Sequence, residues 1–444
     1  MMFEVALLFI LVLHTFRVHY ITNQFLIAFV ALNLIIFIYF AIKKSSFNRF
    51  PRPEGRGSLF LASRIHSHPW YECQSSPARN RFSFGSLQLI LFVLIIVSIF
   101  GFIAFRNFEE RIKIVKVGGE LAIHDGLLQT EFASMQLLQG KNPYSITYKE
   151  VLKGERYYSN GEHPSLRHYV YSPLMFIVNI PFSIITTRLG TVDLRISLIL
   201  FFIIAGFIGS KIVKEKVLFL TIFYFNPLFV PMLLFGASDI ILITFLYLCI
   251  LFLKNKRLSL ATVTLGLATG TKLLILPFLP LYFIYIYFWA GSRGNRKKVI
   301  FKQLFIFLLI NFLIYIPFAV WNFPDIVDDL LVYPYMVSSG YEISGFIGFP
   351  RFLVSLGWAS NSLGLLSILT LITFIILSVI ILFFSVNVIK KSFNIGTLCF
   401  LYSLFFIVIL SLSRLFQSNY LSFISQIMLV GSLAETIRRK KLDS

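Results

Sequence analysis

The sequence predicts an all-α polytopic membrane protein, a bundle of about twelve transmembrane helices. Three observations carry that reading. Apolar residues make up 57% of the chain and charged residues only 14%, where a soluble domain has about 25% charged residues; the mean hydropathy is +0.82. Runs of roughly twenty apolar residues recur from end to end, each long enough to cross a bilayer. The net charge of +20 is gathered in short loops between these runs, the positive-inside pattern of a membrane protein. That distribution directs the basic residues to lipid head groups and excludes nucleic acid as the partner. Cys73, Cys249 and Cys399 are scattered and frame neither a disulfide scaffold nor a metal site.

The first expected spans are residues 3–16 and 24–42, an N-terminal hairpin closed by Lys43 and Lys44. Residues 43–83 carry eight Lys or Arg, two Glu and four prolines with little periodicity, the composition of an irregular cytoplasmic linker. A third span, 84–105, opens the core 84–444 and leads into a long outer loop, 106–190. The run from Tyr171 to Ile185 inside that loop is semi-apolar but carries Pro173 and Pro181, so it reads as a helix lying in the interface. Further spans follow at 191–210, 217–235, 237–253, 258–271, 273–289, 299–320, 362–388, 394–412 and 420–436. With this count the basic clusters at 211–216, 254–257, 293–298, 390–391 and 438–441 all fall inside. Both termini are then cytoplasmic, and most of the 20 acidic residues fall on the outer side. The two halves show no paired Gly- or Pro-broken spans of the transporter kind.

Within the outer loop, Gly118–Tyr144 stands out because polar and acidic residues follow directly on an apolar span. Leu121, Leu127, Leu128, Met135 and Leu138 recur at helical spacing, with Asp125, Gln129 and Gln136 on another side. Gly140 and Pro143 stop the helix. Asp125 then lies in its first turns, where the helix dipole favours a negative charge.

Asp125, the turn Gly140-Lys141-Asn142-Pro143-Tyr144 and the later Tyr171-Ser172-Pro173-Leu174 follow in an order that resembles the GT-C superfamily of polyprenol-phosphate-sugar-dependent glycosyltransferases, closest to mannosyltransferases with "GxNPY" and "YPPL" signatures. The likeness is sharpest from Ile123 to Leu174 and beyond that is one of topology. It implies a GT-C-type bundle and transfer of a hexose, mannose foremost, from a polyprenyl or dolichyl phosphate sugar. The acceptor would be a glycolipid or glycan on the outer face, attacking with inversion. An aspartate at the place of Asp125 is the general base, taking the acceptor hydroxyl's proton as the oxygen attacks the anomeric carbon. The expected location is a multi-pass cell membrane, and no cofactor is implied.

The remaining candidates are weighed against plainer roles. His124 could meet the donor phosphate or simply pack in the interface. Gln129, Asn142, Tyr144 and Tyr171 belong to the shared motifs. Asp239, in Gly236-Ala237-Ser238-Asp239, could contact sugar hydroxyls, hold a neighbouring cation or cap a helix. Lys272 and Arg414 end spans on the outer side and could offset the departing phosphate; snorkelling explains each equally well. Lys272 is followed by Leu273 where the family pattern has proline. Gln417 and Tyr420 sit in a late outer turn like one lying near the family's lipid-donor groove. Glu131 should pair with a loop Lys or Arg, and the tyrosines of 333–341 belong to an interfacial aromatic belt. No DxD or His/Glu spacing suggests a metal. A transporter or lipid flippase, and a non-catalytic membrane scaffold, are the rival readings; Asp125 is dispensable in both.

Overall fold

A computed structural model describes residues 84–118, 123–152, 164–291, 295–335, 348–357, 364–413 and 416–434; the expected hairpin 1–42 and linker 43–83 lie outside them. The chain divides into Met1–Leu94 and Ile95–Ser444, and the second unit holds the features below. Its principal helices are α1 (Phe84–Lys116, which begins in the first unit), α2 (Asp125–Leu138), α3 (Arg195–Ile212), α4 (Lys216–Tyr224), α5 (Phe229–Phe235), α6 (Asp239–Lys254), α7 (Leu258–Thr271), α8 (Phe278–Ala290), α9 (Arg296–Trp321), α10 (Gly364–Lys391), α11 (Ile395–Leu412) and α12 (Ser418–Leu433). Among the described residues the regular structure is all helical.

Helix α6 is the centre of the packing. Ile240 to Ile243, Leu246, Tyr247, Cys249 and Ile250 are buried around its whole circumference, as expected for a helix apolar on every side. It packs on α3, α7 and α12. The outermost helices expose apolar side chains at helical spacing: Phe301, Phe305, Leu308 and Phe312 on α9, Ile372, Ile376, Val379 and Phe383 on α10. Such continuous greasy faces are unstable in water and suit lipid. Four helices are long and apolar enough to cross a membrane, or five if the bent pair α4–α5 is one span.

The expected spans are corrected in three places. Helix α1 does not stop at residue 105 but runs to Lys116, because Glu109 pairs with Arg106 and Lys113 three and four residues away and supports the polar turns. The span 217–235 breaks into α4 and α5, bent by 49°. Pro227 cannot continue the first helix, and the Asn226 side chain accepts the N–H groups of Leu228 and Phe229 to start the second. Helices α7 and α8 hold 14 and 13 residues, rising about 21 and 20 Å, short of the roughly 30 Å hydrocarbon core. They part at Lys272, since Pro277 would clash with the carbonyl of Leu273 in a continuous helix. The run from Tyr171 to Ile185 is likewise broken, into Pro173–Ile177 and Ile180–Arg188.

Candidate functional site

Helix α2 carries its own start and stop signals. His124 is the N-cap, its Nδ1 accepting the Gly126 N–H at 3.1 Å, and the Asp125 carboxylate accepts the same N–H at 2.7 Å. At the other end Gly140 takes φ +73°. The N–H groups of Gly140 and Lys141 then reach back to the carbonyls of Leu137 and Gln136, the paired bonds of a Schellman stop.

Two contacts fix where the start of α2 lies. The His124 N–H donates to the Phe235 carbonyl at 2.8 Å. Gly236, at φ +107°, packs so closely that a Cβ there would meet Leu127 Cδ2 at 2.8 Å. Asp125 is thereby held beside the turn that begins α6. Its side chain keeps 33% of its exposure, enough for a hydroxyl to approach.

Tyr171 forms the next wall. A Cβ on Gly126 would fall 1.8 Å from the Tyr171 hydroxyl, so only glycine lets the ring lie against α2. The ring also carries Lys272 Nζ 4.6 Å from its centroid, within cation–π range. Burial pushes the Tyr171 phenol well above its usual range, and the Asp125 and Asp239 charges add to the effect. One aromatic ring thus links α2 to the end of α7 and, through Lys272, to the start of α6.

Lys272 is neither solvated nor snorkelling. It is buried, and its Nζ donates to Asp239 Oδ1 at 2.7 Å; Asn419 Nδ2 donates to the other oxygen at 3.1 Å. The pairing follows from the topology: α6 and α7 are successive, packed helices, so the first residue of α6 meets the residue ending α7. Each charge also sits at the helix end whose dipole favours it. Of the meanings open to Asp239, the structure selects the cation holder.

The two signature motifs meet in an aromatic scaffold. Asn142 accepts the Tyr144 N–H at 3.1 Å, and the Tyr144 hydroxyl donates to the Tyr171 carbonyl at 2.8 Å. Tyr144, Tyr148, Tyr169, Phe176 and Phe318 pack together, all buried. The Ser172 N–H reaches the Thr271 carbonyl and Tyr315 donates to the Ser172 hydroxyl, pinning this segment to α7 and α9. Asn142 and Tyr144 therefore position Tyr171 from behind. Gln129, also buried, donates to the carbonyls of Ser165 and His168. Gln417 and Tyr420 are half-buried at the start of α12. Arg414 lies outside the described residues.

Two charge clusters go beyond the sequence reading. Glu131 takes a two-pronged bond from Arg111 at 2.6 and 2.7 Å, so its partner belongs to α1 and not to a loop. Arg195 grips Asp193 in the same way, and Arg111 approaches Asp193 at 3.6 Å. Two cations balance two carboxylates and lock α2 to α1 and to the start of α3. Burial raises the Glu131 carboxyl above its usual range, and Arg111 opposes the shift only in part. His168, Asp328 and Asp329, which no sequence spacing marked, bring one nitrogen and two oxygens within 4.8 Å of one another. Tyr333 stacks on His168, centroids 4.3 Å apart, and so belongs to this cluster instead of the aromatic belt. Tyr341 lies outside the described residues. The signal was present as an Asp-Asp pair just after a span, with its histidine 161 residues away. Compared with known proteins, the chain matches no family model, no curated protein and no solved structure.

Proposed function

We propose that the chain is a GT-C-type membrane glycosyltransferase, moving a hexose, foremost mannose, from a polyprenyl or dolichyl phosphate to a glycolipid or glycan on the outer face. The observation that carries the reading is the convergence of Asp125, Tyr171 and the Lys272–Asp239 pair, four groups chosen from sequence motifs far apart in the chain. In the topology that keeps the basic clusters cytoplasmic, this site falls on the outer side. In the reaction Asp125 takes the acceptor's O–H proton, the freed oxygen forms a bond to the anomeric carbon from one face, and the bond to the phosphate oxygen breaks on the other. The electron pair leaves with the polyprenyl phosphate, whose charge a nearby cation must offset. Lys272 has three N–H donors and gives one to Asp239; Arg414 is the second candidate for that role. Tyr171 supplies a flat wall of the kind sugars stack on.

A second reading, a multi-span transporter or lipid flippase, is favoured by one feature: helices broken at Phe225–Leu228 and at Lys272 beside a buried ion pair. The two readings part at Asp125. Membranes carrying Asp125→Asn, supplied with polyprenyl-phosphate mannose and acceptor, lose product formation if Asp125 is the base and keep whatever transport they have. Unchanged product formation overturns the assignment.

A further inference from the structure

Three sites in the described residues hold acidic side chains that are largely buried. Two are balanced by cations: Glu131 and Asp193 by Arg111 and Arg195, and Asp239 by Lys272. The third is not. Asp329, with a side chain 3% exposed, and Asp328 beside it both face His168 Nδ1, at 2.8 and 3.4 Å. Among the described residues neither makes an ion pair with lysine or arginine. Two carboxylates converging on one imidazole leave an excess of negative charge in a partly desolvated place, which is costly without a counter-ion.

The donors are also held from outside. The Tyr169 N–H donates to Asp329 Oδ2 at 2.8 Å, which turns Oδ1 toward His168. The His168 ring lies flat on Tyr333, at 18°, and its carbonyl is tied by Gln129. Tyr333 is tied in turn to Ser165 at 2.9 Å. Such supporting contacts fix a ligand's direction before an ion arrives. Asp328, 51% exposed, leaves one side open for entry and for water ligands.

We infer that His168, Asp328 and Asp329 form a binding site for a divalent cation of the zinc or manganese class, clamping the segment before Tyr171 to the segment after α9. One imidazole nitrogen with two carboxylate oxygens is a donor set for such ions. On binding, His168 Nδ1 gives its proton to solvent or shifts it to Nε2, and the nitrogen lone pair then goes to the metal. The site is independent of sugar transfer and does not rest on Asp125.

Zinc titrated calorimetrically into chelator-stripped, full-length protein in detergent tests this, with the Asp328→Asn protein beside it. Asn at a half-exposed position keeps the fold, and thermal unfolding without zinc verifies it. The expected result is one zinc site in the unmodified protein that is weakened about 10- to 100-fold in Asp328→Asn, with zinc raising the unfolding midpoint only of the former. Zinc held elsewhere on the chain is common to both proteins, so the difference is the readout. Equal zinc stoichiometry and affinity in the two proteins would overturn the inference, as would the absence of any zinc-dependent midpoint difference between them.

Discussion

Replacing Lys272 by methionine separates a structural cation from a functional one. Lys272 Nζ and Asp239 Oδ1 are 2.7 Å apart, with side chains 9% and 1% exposed. At an effective dielectric of 20, attraction across that distance is about 6 kcal/mol, while desolvation costs several kcal/mol for each ion. The intact pair is thus close to break-even. Lys272→Met removes the attraction but leaves Asp239 buried, held among the described residues by Asn419 alone, and should cost about 3–5 kcal/mol. The double variant Lys272→Met/Asp239→Asn removes both charges and should recover most of that loss. Thermal unfolding in detergent, followed by tryptophan fluorescence, measures the cycle. Sugar transfer by the same proteins supplies the second readout, since a donor-phosphate cation would leave the recovered double variant inactive. A stable Lys272→Met protein would refute the buried pair. Additive losses in the double variant would refute the coupling.

Two further outcomes follow from the packing. Gly126→Ala forces its Cβ into the Tyr171 ring and should destabilise by about 1–3 kcal/mol; Tyr171→Phe cannot relieve it, because ring carbons stand at 2.7 and 2.8 Å from that Cβ, and full relief by Phe in the same unfolding assay would disprove the contact. A cysteine at exposed Asn255, in a background lacking the native cysteines, should resist an impermeant thiol reagent in sealed right-side-out cells, and labelling there would invert the topology.

What the sequence made legible was what is local. The stop at Gly140 depends on neighbours a few residues away, and apolar runs mark α3, α6 and α11 directly; the break at Pro227 is just as local, but the apolar run 217–235 hid it. Asp125, Tyr171, Asp239 and Lys272 stood out in the sequence, but their contacts did not: Asp239 and Lys272 are joined only because successive helices fold back. Charged residues misled where hydropathy was the guide. Glu109, Glu110 and Arg111 looked like the start of a loop, yet Glu109 pairs within the helix with Arg106 and Lys113, three and four residues away. Bonds from Arg111 to Glu131 and from His168 to Asp329 span 20 and 161 residues, and no periodicity encodes them. The shortness of α7 and α8 comes from Pro277, whose clash acts four residues upstream of itself.

The most direct test of catalysis is the rate of hexose transfer from a polyprenyl phosphate donor by membranes containing the Asp125→Asn protein. Asn keeps the shape of the side chain and can still accept the Gly126 N–H, so helix α2 and membrane insertion should be unchanged. It cannot take the acceptor's proton, and transfer should fall about 10²- to 10⁴-fold. Transfer within a few-fold of the unmodified protein, at equal expression, would contradict the role assigned to Asp125.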